Sequence, residues 1–294
     1  MMISIIIPYF KNAKEIKRTI ESVLNQSFQE FEVLIVNDAS PDWDEALPII
    51  KGFSDARIKL LSHEVNRNGA AARNTGIKSA KGNCIAFLDA DDEWTPEHLH
   101  NLVQLIDRNK PSLIFSSCLI KSGHEYVLPK DNVNKSESIS EFLFCDHVFI
   151  GTPSILVDTC LAKKNLFNEE LKRHQDYDFL LRLAKKNIHF IWSKPATVIV
   201  HWEDNDTTKK GGTWKYSIDW LLLYKSFFTT KAYSNFALKF VVNKQFQERR
   251  IFNGLITFVI HCKPWHISLK EYFFTLSNLC FGKVIVPKFL KITN

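Results

Sequence analysis

The chain has 294 residues, a formal net charge of +6, 45% hydrophobic and 24% charged residues. This is an ordinary globular composition, long enough for one large domain or one domain with an appendage. The six cysteines are scattered, with no C-x-x-C pair and no zinc spacing, which excludes a disulfide framework or zinc ribbon and reads as reduced thiols in a cytoplasmic protein. Residues 1–8 are apolar and Lys11, Lys14 and Lys17 follow them, the reverse of a signal peptide's order.

Residues 3–8 form a continuous apolar, β-branched run and predict a buried parallel strand. Ile16, Ile20, Val23 and Leu24 then recur at helical spacing within residues 14–26. Residues 31–36 predict a second strand ending at Asn37-Asp38, residues 46–53 a helix, and residues 58–61 a third strand. Residues 70–80 are Ala-rich and predict a helix stopped by Gly82; residues 84–88 predict the next strand. Residues 96–109 predict a helix facing inward with Leu99, Leu102, Val103 and Ile106, and residues 112–160 further strands and loops. A helix is expected at residues 176–187 and two strands at 188–192 and 196–201. Alternating strands and helices of this kind predict an α/β fold with a mostly parallel sheet.

From residue 205 onward the pattern changes to helices rich in Phe, Trp, Leu and Lys. This tail carries 14 Lys and Arg against 4 Asp and Glu, a net +10, and leaves a slightly acidic body. Its longest apolar runs, residues 220–224 and 255–260, are too short to span a bilayer. Two readings stand side by side: helices lying on an anionic membrane surface, at the inner face of the plasma membrane, or a subdomain whose aromatic residues pack inward. No nucleic-acid recognition motif accompanies the charge.

The feature with most chemistry in it is Asp89-Ala-Asp91-Asp92-Glu93, directly after the apolar Ile85-Ala-Phe-Leu88. Crowded carboxylates repel unless a cation or hydrogen-bond donors hold them, and open α/β sheets bind ligands at the carboxyl ends of strands. A hard divalent cation with a phosphate-bearing substrate fits this cluster. Asp38 ends a neighbouring strand, where a lone Asp is most often a turn or helix cap. Asn66–Gly76 opens a helix with a glycine and places Arg73 one turn in, a pattern that suits a diphosphate but is neither a P-loop nor G-x-G-x-x-G. Asp176 begins a helix, where the dipole favours an ionised carboxylate suited to general base work.

Ser4-Ile-Ile-Ile-Pro8-Tyr-Phe10, Val36-Asn-Asp38-Ala-Ser40, Asn68-Gly69 with Ala72-Arg73-Asn74-Thr75-Gly76, Phe87-Leu-Asp89-Ala-Asp91-Asp92, Phe167-Asn-Glu169 and Asp176-Tyr-Asp178 occur in this order. Together they resemble the family 2 glycosyltransferases over residues 1–205. The resemblance implies a GT-A fold in that region, with a nucleotide-sugar half at about 1–95 and an acceptor half at about 96–205. Residues 206–294 are then a helical, basic extension. It also implies a nucleotide-diphosphate sugar donor, a divalent metal, Mn²⁺ or Mg²⁺, and inversion at the anomeric carbon. By the same resemblance Pro8 and Phe10 line the base and ribose pocket, Asp38 holds uracil or ribose, and Arg73 reaches the base or diphosphate. Asp89 lies on the ribose side, Asp91 ligates the metal, His201 lies near the diphosphate and metal, and Asp176 is the catalytic base. Asp38 and Phe10 favour UDP as the nucleotide. The implied acceptor is a saccharide or lipid-linked glycan of a bacterial surface polysaccharide. The chain has Gln175 and Phe10-Lys11 where the family usually has Glu and Tyr-Asn. Gln175 and the basic tail keep open an alternative, a non-catalytic membrane-peripheral protein on a degenerate glycosyltransferase scaffold.

Overall fold

The computed structural model describes residues 1–107, 110–129, 138–145, 149–186, 188–202 and 213–281. The chain forms two compact units, one of Met1–Asn132 with Phe149–Asn205, the other of Val133–Val148 with Asp206–Asn294. A sixteen-residue segment from the middle of the chain belongs to the same unit as the tail. One sheet runs through residues 3–201 of the first unit.

In the first unit, isoleucine-rich β1 (Ile3–Tyr9) is buried along nearly its whole length. Around it, in chain order, come α1 (Ile16–Leu24), β2 (Phe31–Asn37), α2 (Trp43–Gly52), β3 (Ile58–Ser62), α3 (Asn68–Ser79) and β4 (Cys84–Phe87). These four strands are parallel, in the order β3-β2-β1-β4. α1 buries Ile16, Thr19, Ile20 and Val23, the stripe that its sequence spacing predicts. α3 lies close on β1 because its inward residues are small: a Cβ added at Gly76 would come within 2.5 Å of Ile6 Cγ2. Ile6 is fully buried and cannot swing into solvent. Gly76→Ala is therefore expected to destabilise the fold by about 1–3 kcal/mol, as overpacking does, despite alanine's better helix propensity. Chemical denaturation of the two proteins measures it.

Beyond β4 the sheet becomes mixed. It continues through β5 (Glu93–Trp94), α4 (His98–Val103), β6 (Ser112–Ser122), β7 (His124–Leu128), α5 (Ile139–Phe144, in the second unit), β8 (Ile155–Asp158), α6 (Thr159–Lys164), α7 (Gln175–Ala184) and β9 (His189–His201). The order is β3-β2-β1-β4-β8-β6-β9-β5, with β7 paired to β6. β8 enters from the edge where β4 ends, so it is antiparallel to both β4 and β6. β6 and β9 again point the same way as β1, which brings their carboxyl ends to the same edge.

Two local expectations differ from the structure. The helix predicted over residues 96–109 is only six residues long in α4, after which Leu105 and Ile106 bond three residues back in tight turns. The strands expected at 188–192 and 196–201 are one strand, β9. Its register against β6 slips so that Ser193 faces Ser116 and Ala196 faces Ser117, leaving Lys194 and Pro195 as the extra residues. A proline has no N–H for the ladder, and a bulge is where a long strand accommodates one.

The second unit holds α5, α8 (Trp214–Leu223), α9 (Thr230–Ala237), α10 (Asn243–Gln247), α11 (Ile251–His261) and α12 (Leu269–Phe281), with a π-helical turn at Leu238–Val242. Its core is aromatic: Phe144 stacks on Phe228 at 5.1 Å and meets Phe236 edge-on, while Trp220 packs on Phe236. Among the described residues no helix is long and apolar enough to cross a membrane.

Candidate active site

The parallel strands β1, β2, β4, β6 and β9 all end at one edge of the sheet, and each delivers a residue singled out in the sequence or a neighbour of one. β1 and β4 part there: their pairing stops at Ile6 and Phe87, two residues before Pro8, which has no N–H to donate. β4 then turns away into Asp89–Asp92. Pro8 is half-buried at the end of β1, and Phe10 beyond it is 39% exposed, with the Lys11 ammonium 5.2 Å from its ring. Lys11 takes a left-handed conformation (φ 60°) and its N–H donates to Ser40 Oγ, tying the β1 loop to the β2 loop.

Asp38 is buried, and its carboxylate is bonded within the protein. Its Oδ1 accepts from the Arg67 N–H (2.8 Å) and lies 2.7 Å from His63 Nδ1, and His63 Nε2 lies 2.8 Å from Thr75 Oγ1. The carboxylate therefore fixes the loop that opens α3. At that opening Asn68 takes a left-handed conformation (φ 77°), and its Oδ1 accepts from the N–H groups of Ala70 and Ala71.

α3 in turn positions the segment leading to Asp176. Asn74, buried, donates to the Phe167 carbonyl and to Glu169 Oε1 and accepts from the Phe167 N–H. Arg67 Nη2 donates to Glu169 Oε2 at 2.7 Å, and Asn68 Nδ2 donates to the Glu169 carbonyl. The hydrogen bond from Asn74, outweighing partial burial, and the Arg67 charge hold the Glu169 carboxyl below its ordinary range. Glu169 therefore adds stability at neutral pH that is lost as pH falls through its lowered pKa. Glu169→Ala is expected to cost about 1–3 kcal/mol of stability, because Asn74 is left with an unmet donor. Urea unfolding at neutral and acidic pH tests this, with the gap closing in acid.

Gln175, where the family has Glu, donates from Nε2 to the Leu171 carbonyl and to Asn68 Oδ1. Its amide thus ties the first turn of α7 to the start of α3. Asp176 follows in that turn. Burial raises its pKa, overriding the backbone N–H groups and the Arg73 charge that favour the ionised form. The helix-end effect expected from the sequence is present but loses to desolvation. Asp178, two residues on in the same helix, is buried in a forked ion pair with Arg182.

Arg73 joins the two halves of the edge. Its Nη2 donates to Asp89 Oδ1 at 2.5 Å and its guanidinium lies 5.7 Å from the Phe167 ring. Gly69 leaves room for it: an added Cβ would sit 3.1 Å from Arg73 Nη1. Asp91 and His201 line one pocket of about 340 Å³, together with Lys11, Asn12, Glu15, Arg18, Lys121 and Trp202. His201 Nε2 is 2.7 Å from Glu93 Oε1, and the His201 N–H donates to Asp92 Oδ1. Asp92 is buried; burial and then the Asp89 and Asp91 charges push its carboxyl well up. Its role is to pin β9, and with it His201, to the acidic loop. Thr19 Oγ1 and Arg18 Nη2 bond the backbone carbonyls of Ala90, Asp92 and Asp91, so the loop is held without the Asp91 side chain.

Among the described residues no three His, Cys, Asp or Glu side chains gather as a metal cage. A caged structural ion does not fit this edge. A Mg²⁺-type ion does, since it needs only one or two carboxylates and completes its shell with water and substrate phosphates. Asp91 would supply the hard oxygen, and Glu93, 2.7 Å from His201 Nε2, would orient that imidazole as a ligand.

Residues 4–169 match the family model described as "Glycosyl transferase family 2". The amylovoran biosynthesis glycosyltransferase AmsB of Erwinia amylovora is 33% identical over 246 residues, 78% of this chain and 82% of that protein. The chain belongs to the family 2 glycosyltransferases. The Escherichia coli protein WfgD, named UDP-Glc:alpha-D-GlcNAc-diphosphoundecaprenol beta-1,3-glucosyltransferase, is 31% identical over 186 residues, 63% of this chain and 71% of that protein. Among solved structures, S. aureus TarS 1–349 in complex with UDP-GlcNAc superposes with a TM-score of 0.66 at 18% identity, over 95% of this chain and 82% of that one. This likeness shows the GT-A fold expected from the sequence.

The glycosyltransferase's edge also holds residues that the sequence did not single out. Arg18, Lys121 and Trp202 line the pocket beside Asp91 and His201. Lys121 and Trp202 reach this pocket through the return of β6 and β9 to the edge, and Arg18 reaches it from α1.

Proposed function

We propose that this glycosyltransferase moves a sugar from a UDP-linked donor to a lipid-linked glycan of a cell-surface polysaccharide, with inversion at the anomeric carbon. The observation that carries the reading is Asp176: a carboxylate of raised pKa, on a helix tied to α3, beside the arginine that holds Asp89. Inversion in one displacement requires a single base to take the acceptor hydroxyl's proton as that oxygen attacks. A carboxylate made more basic by burial suits that task. Gln175 holds the base's helical turn against α3, which the usual Glu would do with a charge.

Asp91 would hold a divalent metal, Mn²⁺ or Mg²⁺, with His201 beside it. Bound there, the ion supplies positive charge to the diphosphate as it leaves. Lys11, Arg18 and Lys121 add cationic charge around the same pocket. Asp38 and the exposed Phe10 ring provide the nucleoside end. The names and ligands of the relatives support the donor and acceptor class: WfgD acts with UDP-Glc on a diphosphoundecaprenol-linked sugar, and TarS was solved with UDP-GlcNAc.

The test is nucleoside diphosphate release from a panel of UDP-, GDP- and dTDP-sugars, with Mn²⁺, Mg²⁺ or chelator, on a lipid-linked acceptor. Turnover of a UDP-sugar giving a product of inverted anomeric configuration by NMR is expected. A product of retained configuration, or metal-independent turnover, overturns the corresponding part of the reading.

A further inference from the structure

The second unit exposes more apolar surface than its own packing uses. α11 contains no Lys, Arg, Asp or Glu, and its one buried residue is Gly254, against which the Phe246 ring lies. Phe252 and Val259 are 82% and 77% exposed, and Leu255, Ile256 and Ile260 are exposed beside them. Trp265 follows in the turn after α11, itself 75% exposed. α12 then presents Leu269, Phe273 and Leu276, all exposed and spaced at four and three residues along one stripe. A polar helix surface needs no partner; a largely apolar one in water does.

Cations frame this surface. Arg249 and Arg250 precede α11, Lys263 precedes the Trp265 turn and Lys270 lies in the first turn of α12. Within residues 213–281 nine Lys and Arg stand against three Asp and Glu, a net +6. That charge decides between occupants. A second copy would bring two strongly basic surfaces together, and their repulsion would oppose burial. An anionic bilayer neutralises the same charge and accepts the aromatic rings at headgroup depth. α11 has 11 residues, about half of what a spanning helix needs, so it would lie in the interface rather than cross it.

We propose that α11, the Trp265 turn and the outer stripe of α12 form a docking face for an anionic phospholipid bilayer. Phe252, Val259, Trp265 and Phe273 insert among the acyl chains, and Arg250, Lys263 and Lys270 meet lipid phosphates. This face stands apart from the donor chemistry, since it is measured with neither donor nor acceptor present.

The experiment is flotation of the full chain with phosphatidylcholine vesicles, with and without phosphatidylglycerol, at low and high salt. Two variants accompany it: Phe252→Glu with Trp265→Glu and Phe273→Glu, and Arg250→Glu with Lys263→Glu. Wild type is expected to float with the anionic vesicles and to release with salt. The apolar triple variant is expected to bind at least about tenfold more weakly. The charge variant, which leaves every apolar contact in place, is expected to lose its preference for phosphatidylglycerol. Circular dichroism and a UDP thermal shift equal to wild type establish that each variant is folded. Equal binding to both vesicle types overturns the proposal, as does a folded triple variant that floats like wild type. So does a wild-type dimer, seen by analytical ultracentrifugation, that the triple substitution dissociates without any lipid binding.

Discussion

Replacing Asp176 by Asn is expected to lower the turnover number by about 10²–10⁴-fold, the usual contribution of a positioned general base, while nucleotide binding stays near wild type. The amide keeps the shape and a hydrogen-bonding carbonyl but cannot take a proton. Stability should move the other way. Burial raises the pKa of Asp176 in the folded protein, so its ionised form is disfavoured there. A group with a raised folded pKa favours folding below its unfolded pKa and loses that contribution as pH rises through the folded value. At neutral pH the carboxylate is therefore a cost, and Asn removes it. Thermal unfolding at neutral pH should show Asp176→Asn at or above the wild-type midpoint, with the gain vanishing in acid. The same shift predicts that wild-type turnover falls on the acid side at a higher pH than an ordinary carboxylate would give. A variant with wild-type turnover would remove Asp176 from the chemistry.

Asp91→Ala is expected to remove the metal dependence of donor binding and to lower transfer by about 10²–10³-fold, the scale of losing one major stabiliser of developing charge. The fold should survive, because Thr19 and Arg18 hold the loop through its backbone carbonyls and Asp92 holds it through the His201 N–H. The two variants therefore fail differently. A UDP thermal shift that Mn²⁺ enhances in wild type and in Asp176→Asn, but not in Asp91→Ala, separates the roles. An Asp91→Ala protein whose thermal shift still responds to Mn²⁺ would move the ion to another carboxylate of the loop.

What the sequence disclosed was whatever local pattern alone encodes. The β-branched run of β1, the stripe of α1 and the acids after Leu88 need no distant partner to be read. The order of six short motifs supplied the family, which periodicity could not. What stayed hidden depends on residues far apart in the chain. Asp92's partner, the His201 N–H, lies 109 residues away and comes to it only with β9. Glu93 and Trp94 look like the end of a loop, because a two-residue strand exists only through its pairing with Val198 and Ile199. Pro195 divided β9 on paper, since a proline in a strand is accommodated by the partner's register and not by its own sequence. The raised pKa of Asp176 was likewise a property of its surroundings, and the helix position visible in the sequence pointed to the opposite sign.

The membership of α5 in the second unit has a consequence for how this chain is made and cut. Phe144 of α5 packs against Phe228, Phe236 and Phe240, residues synthesised at least 84 positions later. On the ribosome α5 must wait, its apolar face uncovered, while the remaining strands of the first unit are completed. A truncation after residue 205, the obvious place to isolate the catalytic unit, strands the same face permanently. Such a fragment is expected to aggregate unless Leu143 and Phe144 are replaced by polar residues, so its poor behaviour would report an orphaned helix and not a defect of the catalytic fold.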